Sequence, residues 1–178
     1  MTRAIVYYSR TGTSRKVAEA LAARTGWPLA EVADATSRAG LPGDLRCVID
    51  ALLRRRVAYR YGGPPLQECD HVVVIAPVWV GRLAAPMRSF LAASAASKPL
   101  RARVSAVCVM AARGGFRAEA DVAQLTGQNP APALLLLERD VLSGEAAADI
   151  DEFVRALRLE DSGSKHQERA AWLSPSEP

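Results

Sequence analysis

Four almost unbroken apolar runs constrain this chain more than any other feature: RAIVYY (3–8), DHVVVIAP (70–77), RVSAVCVMAA (103–112) and ALLLLERD (133–140). A strand with one face in water alternates apolar and polar residues. A run apolar at every position belongs to a strand covered on both faces, the situation of a parallel sheet between helices. The segments between the runs carry helical spacing. TSRKVAEALAARTG (13–26) has Thr13 as a candidate N-cap and Gly26 as a stop. A second helix is expected over 44–56, with Asp44 as its cap, and a third over 86–96, entered through Pro86. Further helices are expected at about 116–126 and 145–158, the last with Ala146, Ile150, Phe153, Val154 and Leu157 on one face. WPLAEVAD (27–34) supplies a short additional strand. Five strands alternating with helices make an α/β chain with a parallel sheet covered on both sides.

The 178 residues, 49% of them hydrophobic, suit one domain, taken as 1–158. Residues 159–178 turn polar and proline-bearing and read as a flexible tail. Its AAWL (170–173) also offers a docking element for a second copy of the chain, and so a homodimer. The longest apolar stretch is broken by Pro77 and Gly81 and does not make a membrane span, and no signal-peptide pattern opens the sequence, so a cytoplasmic location is expected. Cys47, Cys69 and Cys108 show no metal-ligand spacing and read as packing residues, and no metal site is expected. The net charge is +4, and only three of the 23 basic residues are lysine. LRCVIDALLRRRVAYRYGG (45–63) mixes arginine with aromatics, but its Leu, Val and Ile follow helical spacing and leave the arginines on a solvated face. Nucleic-acid binding is therefore not expected. His71 and His166 lie at a strand start and in the tail and read as structural or solvent-exposed rather than catalytic.

In an open parallel sheet, ligands collect at the carboxyl ends of the strands, where the strand order switches. The loops to examine are SRTGTS (9–14), PVWVGRLAA (77–85) and ARGGF (112–116). The first combines four hydroxyls (Ser9, Thr11, Thr13, Ser14) with Gly12 at a helix start. There, unpaired N–H groups and the helix dipole favour a phosphate monoester. It is neither a Walker loop nor a GxGxxG dinucleotide turn. A capped turn with no ligand would need only one or two of those hydroxyls. In the second loop Trp79 can stack on a flat ring. In the third, Gly114 and Gly115 let backbone approach closely.

Taken together, the three loops resemble the flavodoxin-like FMN-binding superfamily, and in particular its short-chain flavodoxins. SRTGTS is similar to the family's FMN-phosphate pattern [ST]-x-T-G-x-[ST], and APVWVGRLAAPMRSFL (76–91) is similar to the loop beside the isoalloxazine and the helix after it. The resemblance covers about residues 3–158. It implies a doubly wound five-stranded parallel sheet of order 2-1-3-4-5 in a three-layer sandwich, with FMN as cofactor. It implies that Ser9, Thr11, Gly12 and Ser14 hold the phosphate, with the backbone of Arg10 and Thr13. Pro77, Val78, Trp79, Val80 and Gly81 would line one side of the flavin, and Ala111, Ala112, Arg113, Gly114 and Gly115 the other edge. Three features differ from the family pattern: the chain is basic, its third loop lacks a tyrosine, and the connection before Tyr59 and Tyr61 is long.

The resemblance implies an electron-transfer flavoprotein that exchanges electrons with a redox partner protein or a small-molecule donor or acceptor. No side chain is required as a catalytic acid or base. The alternatives are an FMN-dependent NAD(P)H:quinone-type oxidoreductase and, in a different class, a flavin-free module that uses the fold to bind partners. A phosphatase is disfavoured because the first loop holds no cysteine.

Overall fold

The computed structural model describes residues 2–35, 57–97 and 100–173. Seven strands form one sheet: β1 (Arg3–Tyr7), β2 (Leu29–Asp34), β3 (Tyr59–Tyr61), β4 (His71–Trp79), β5 (Arg82–Leu83), β6 (Arg103–Met110) and β7 (Ala133–Leu137). Among the described residues five helices accompany them: α1 (Thr13–Thr25), α2 (Ala85–Ser97), α3 (Gly115–Thr126), α4 (Glu138–Ser143) and α5 (Ala147–Leu173). The sheet order is β3-β2-β1-β4-β6-β7, with β5 hairpinned onto β4. Its five parallel strands, β2-β1-β4-β6-β7, follow the order implied by the resemblance. The expectation of five strands falls short by two. YRY pairs antiparallel with β2, and the two residues of β5 pair antiparallel with the end of β4.

The apolar runs divide between two cores with a period of two. From β1, Ile5 and Tyr7 face one side with Val17 and Leu21 of α1 and Phe153 and Leu157 of α5. Ala4 and Val6 face the other side with Met87 and Leu91 of α2 and Val122 of α3. That division makes three layers. The expected apolar face of the last helix is buried in full: Ala146, Ile150, Phe153, Val154 and Leu157 all lie in the first of these cores.

Several boundaries move. Thr13 is the first residue of α1 and not its cap; Gly12 holds the cap position, left-handed at φ 95°, with no side-chain cap bond. Gly26 does end α1, and its N–H donates to the Ala22 carbonyl at 2.8 Å. The ALLLLERD strand stops at Leu137, and the chain turns at once into α4. The backbone of α5 continues to Leu173, past the expected end at 158. The helix expected over 44–56 lies outside the described residues, as does Cys47.

Burial raises the Cys69 thiol above its usual range and pushes the Cys108 thiol up to about 12, so both are packing residues and poor nucleophiles. His71 is fully buried in β4, its Nε2 2.8 Å from the Ser105 hydroxyl. Tyr59 and Tyr61 pack on Phe90 of α2, with ring centroids 5.7 and 4.4 Å away. Among the described residues no helix is long and apolar enough to cross a membrane, and no cluster of His, Cys, Asp or Glu is arranged to hold a metal.

Candidate functional site

β1, β4, β6 and β7 run parallel, so the loops that follow them open at one end of the sheet. The chain leaves β1 for β2 on one side, while β4 lies on the other. The order therefore switches between β1 and β4. A cavity of about 220 Å³ opens there.

Its first wall is the hydroxyl loop. Ser9, Arg10, Thr11, Thr13 and Ser14 line it, with Thr13 and Ser14 buried at the entry to α1. Gly12 is not a lining residue. It supplies the left-handed turn that sets Thr11 and Thr13 side by side, with hydroxyls 3.3 Å apart. The Gly12 N–H donates to the Ser9 hydroxyl at 3.1 Å, so Ser9 folds back to brace the loop. The resemblance gives Ser9 to the phosphate; its oxygen accepts from the loop backbone, and its own O–H proton stays free to donate into the cavity that Ser9 lines.

The second wall is the end of β4. Pro77, Val78 and Trp79 line it, whereas Val80 and Gly81 form the hairpin tip outside it. Val80 is left-handed at φ 51° and Gly81 at φ 73°. The Trp79 ring meets Tyr8 in a T-shaped contact, with centroids 5.5 Å apart and planes at 85°. Tyr8 is itself held, its hydroxyl donating to Asp34 at 2.8 Å. The order of restraint therefore runs from β2 through Tyr8 to the tryptophan.

Before the third loop, Val109 of β6 and Ala111 line the cavity, and no residue of the loop itself does. Ala112, Arg113, Gly114 and Gly115 stand back from the cavity. Gly114 caps α3, left-handed at φ 98°, and packs backbone against backbone on Gly81. The two loops thus brace each other behind the cavity. A second brace is ionic. Asp121 of α3, 5% exposed at its side chain, accepts from Arg82 at 2.8 Å and from the Leu83 N–H at 3.2 Å.

Sequence reasoning missed three participants: Val109, Tyr8 and Glu138. Glu138 is the first residue of α4, and its carboxylate reaches across to the hydroxyl loop. It accepts from Thr13 Oγ1 at 2.8 Å and from Thr11 Oγ1 at 3.4 Å. No local signal marked it, because ALLLLERD reads as strand through that position.

No family model and no curated protein matches the chain. Solved structures do. The flavoprotein of Lactobacillus acidophilus NCFM, in complex with FMN, is 18% identical with a TM-score of 0.63, over 80% of this chain and 97% of that one. The Fusobacterium nucleatum flavodoxin bound to flavin mononucleotide is 9% identical with a TM-score of 0.56, over 89% of this chain and 98% of that one. An NAD(P)H:quinone oxidoreductase of Methanothermobacter marburgensis is 14% identical with a TM-score of 0.52, over 88% and 96%. At these identities the likeness is one of fold, and the fold of this chain is flavodoxin-like.

Proposed function

We propose that this flavodoxin-like chain binds FMN in the cavity between the β1 and β4 loops and serves in electron transfer. One observation carries the reading. The Thr11 and Thr13 hydroxyls at the start of α1 already hold an oxyanion, the Glu138 carboxylate. The donor set therefore has the chemistry a phosphate needs: hydroxyls that donate to anionic oxygen, beside the positive end of a helix dipole. The chain's similarity in fold to an FMN-bound flavoprotein and an FMN-bound flavodoxin supports the choice of ligand.

In this reading Thr11, Thr13 and Ser14 bind the phosphate, Gly12 shapes the turn, and Arg10 lines the same wall. Pro77, Val78 and Trp79 flank the ring system from β4, and Ala111 meets it from β6. The isoalloxazine supplies the redox chemistry when bound, and no side chain of the site is needed as acid or base. A reductase that takes electrons from NAD(P)H is the second reading, favoured by the quinone oxidoreductase among the structural neighbours and by a net charge of +4 that suits an anionic donor. Steady-state oxidation of NAD(P)H by the FMN-loaded chain, with a quinone as acceptor, separates the two readings.

Two measurements test the site. FMN is expected to bind at least about tenfold more tightly than riboflavin, a difference of about 1.4 kcal/mol. Equal affinities in a fluorescence-quenching titration would remove the phosphate from the hydroxyl loop. Trp79→Ala is expected to weaken FMN and riboflavin to the same degree, because it removes a ring contact and leaves the phosphate loop alone. Aromatic contacts are worth about 0.5–1.5 kcal/mol beyond burial, so the loss should reach up to about tenfold. Unchanged affinity for both ligands would leave Trp79 with its Tyr8 contact as its sole role.

A further inference from the structure

We infer that Glu138 is a built-in competitor for the phosphate: its carboxylate engages the two hydroxyls that a phosphate would take and must leave before a phosphate can enter. The inference rests on the placement of a phosphate in that loop.

Three observations lead to it. First, α1 has no acidic residue in its first turn and no side-chain cap bond at Gly12. Its start is therefore electropositive with no local anion to answer it. Second, the answering charge comes from 125 residues further along the chain, where Glu138 accepts from Thr13 at 2.8 Å. It also reaches Thr11 at 3.4 Å. Third, Glu138 lines the same cavity as those hydroxyls and is only partly buried, standing where β7 gives way to α4. The carboxylate thus has a path to solvent that does not require the sheet to open.

Two anions cannot share these donors. A carboxylate and a phosphate within hydrogen-bond distance of the same two hydroxyls would repel in a partly desolvated pocket, where such repulsion is weakly screened. Arg10 lies on the same cavity wall, and Arg139, the next residue, pairs with Asp140 at 3.1 Å. Displacing Glu138 breaks its bonds to Thr13 and Thr11, and that penalty falls on every phosphate-bearing ligand. A ligand without a phosphate leaves Glu138 in place. Glu138 therefore narrows the preference for FMN over riboflavin.

The test uses the full chain as wild type, Glu138→Gln and Glu138→Ala. Inorganic phosphate is titrated while the unfolding temperature is followed, and FMN and riboflavin are titrated separately. Both variants are expected to bind phosphate about tenfold more tightly than wild type, and the ratio of FMN to riboflavin affinity should rise by the same factor. Glu138→Gln keeps the size of the side chain, so a gain in both variants comes from the charge and not from the space vacated. Phosphate affinity that is unchanged or weaker in both variants, or absent throughout, overturns the competitor role. The flavin reading fails separately: tighter phosphate binding with no FMN bound by any of the three proteins would retain the role of Glu138 and discard FMN.

Discussion

Gly114→Ala is expected to destabilise the folded chain by roughly 3 kcal/mol and to weaken flavin binding with it. Two penalties combine. The residue is left-handed at φ 98°, which costs a non-glycine residue about 1–2 kcal/mol. A Cβ placed there would also stand 2.3 Å from the Gly81 Cα and 3.2 Å from the Gly81 carbonyl carbon, and backbone cannot rotate away as a side chain can. Overpacking of this kind adds about 1–3 kcal/mol. In a chain of 178 residues this lowers the unfolding temperature by roughly 6–12 °C. Gly127→Ala supplies the control. It shares the left-handed geometry at φ 78°, and nothing lies within 4 Å of its added Cβ. The difference between the two variants, read from urea unfolding, isolates the contact between the second and third loops. Equal losses would mean that the loops yield freely and do not brace each other.

Asp121→Ala should have the second largest effect, about 2–3 kcal/mol. The carboxylate is 5% exposed and serves both the Arg82 guanidinium and the Leu83 N–H. Breaking a fully buried pair costs about 3–5 kcal/mol, but Arg82 is 34% exposed and regains water, which reduces the penalty. The consequence for the site follows from register. Arg82 sits opposite Trp79, and Leu83 opposite Val78, in the β4–β5 hairpin. Releasing β5 from α3 therefore loosens the strand end that carries the tryptophan. FMN affinity is expected to fall along with the unfolding temperature. Asp121→Asn retains an acceptor for Leu83 while removing the charge, so an intermediate loss would divide the two contributions. If Asp121→Ala unfolds at the wild-type temperature, the ion pair does not anchor the hairpin.

Much of this architecture was present in short-range pattern. Val72, Val73, Val74 and Ile75 are apolar on both faces of β4 because helices cover both sides of the sheet. Val17 and Leu21 recur at one turn of α1 and face the sheet together. Gly26 stops that helix because it takes a left-handed conformation within one residue of the helix end. In each case the deciding partners lie within a turn or a strand of one another, so a local reading suffices. The hydroxyl loop was legible for the same reason, since its donors and its glycine are consecutive.

What the sequence could not determine depends on partners far along the chain. Tyr59–Tyr61 and Arg82–Leu83 are too short to show a period, and they are strands only because the outer edge of β2 and the end of β4 that projects beyond β1 and β6, Val78–Trp79, offer them partners. Gly81 and Gly114 belong to different loops, and only the parallel pairing of β4 with β6 brings their backbones together. Glu138 follows an apolar run that reads as strand beyond it. Its carboxylate meets Thr13 because the chain turns into α4 at Leu137, at the same end of the sheet as the loop after β1. The sequence by itself determined the five parallel strands, the helices α1, α2, α3 and α5, and the cluster of hydroxyls that follows the first strand. The tertiary structure alone decided which loops brace each other and which carboxylate meets the hydroxyl loop, because those contacts join residues that share no local pattern.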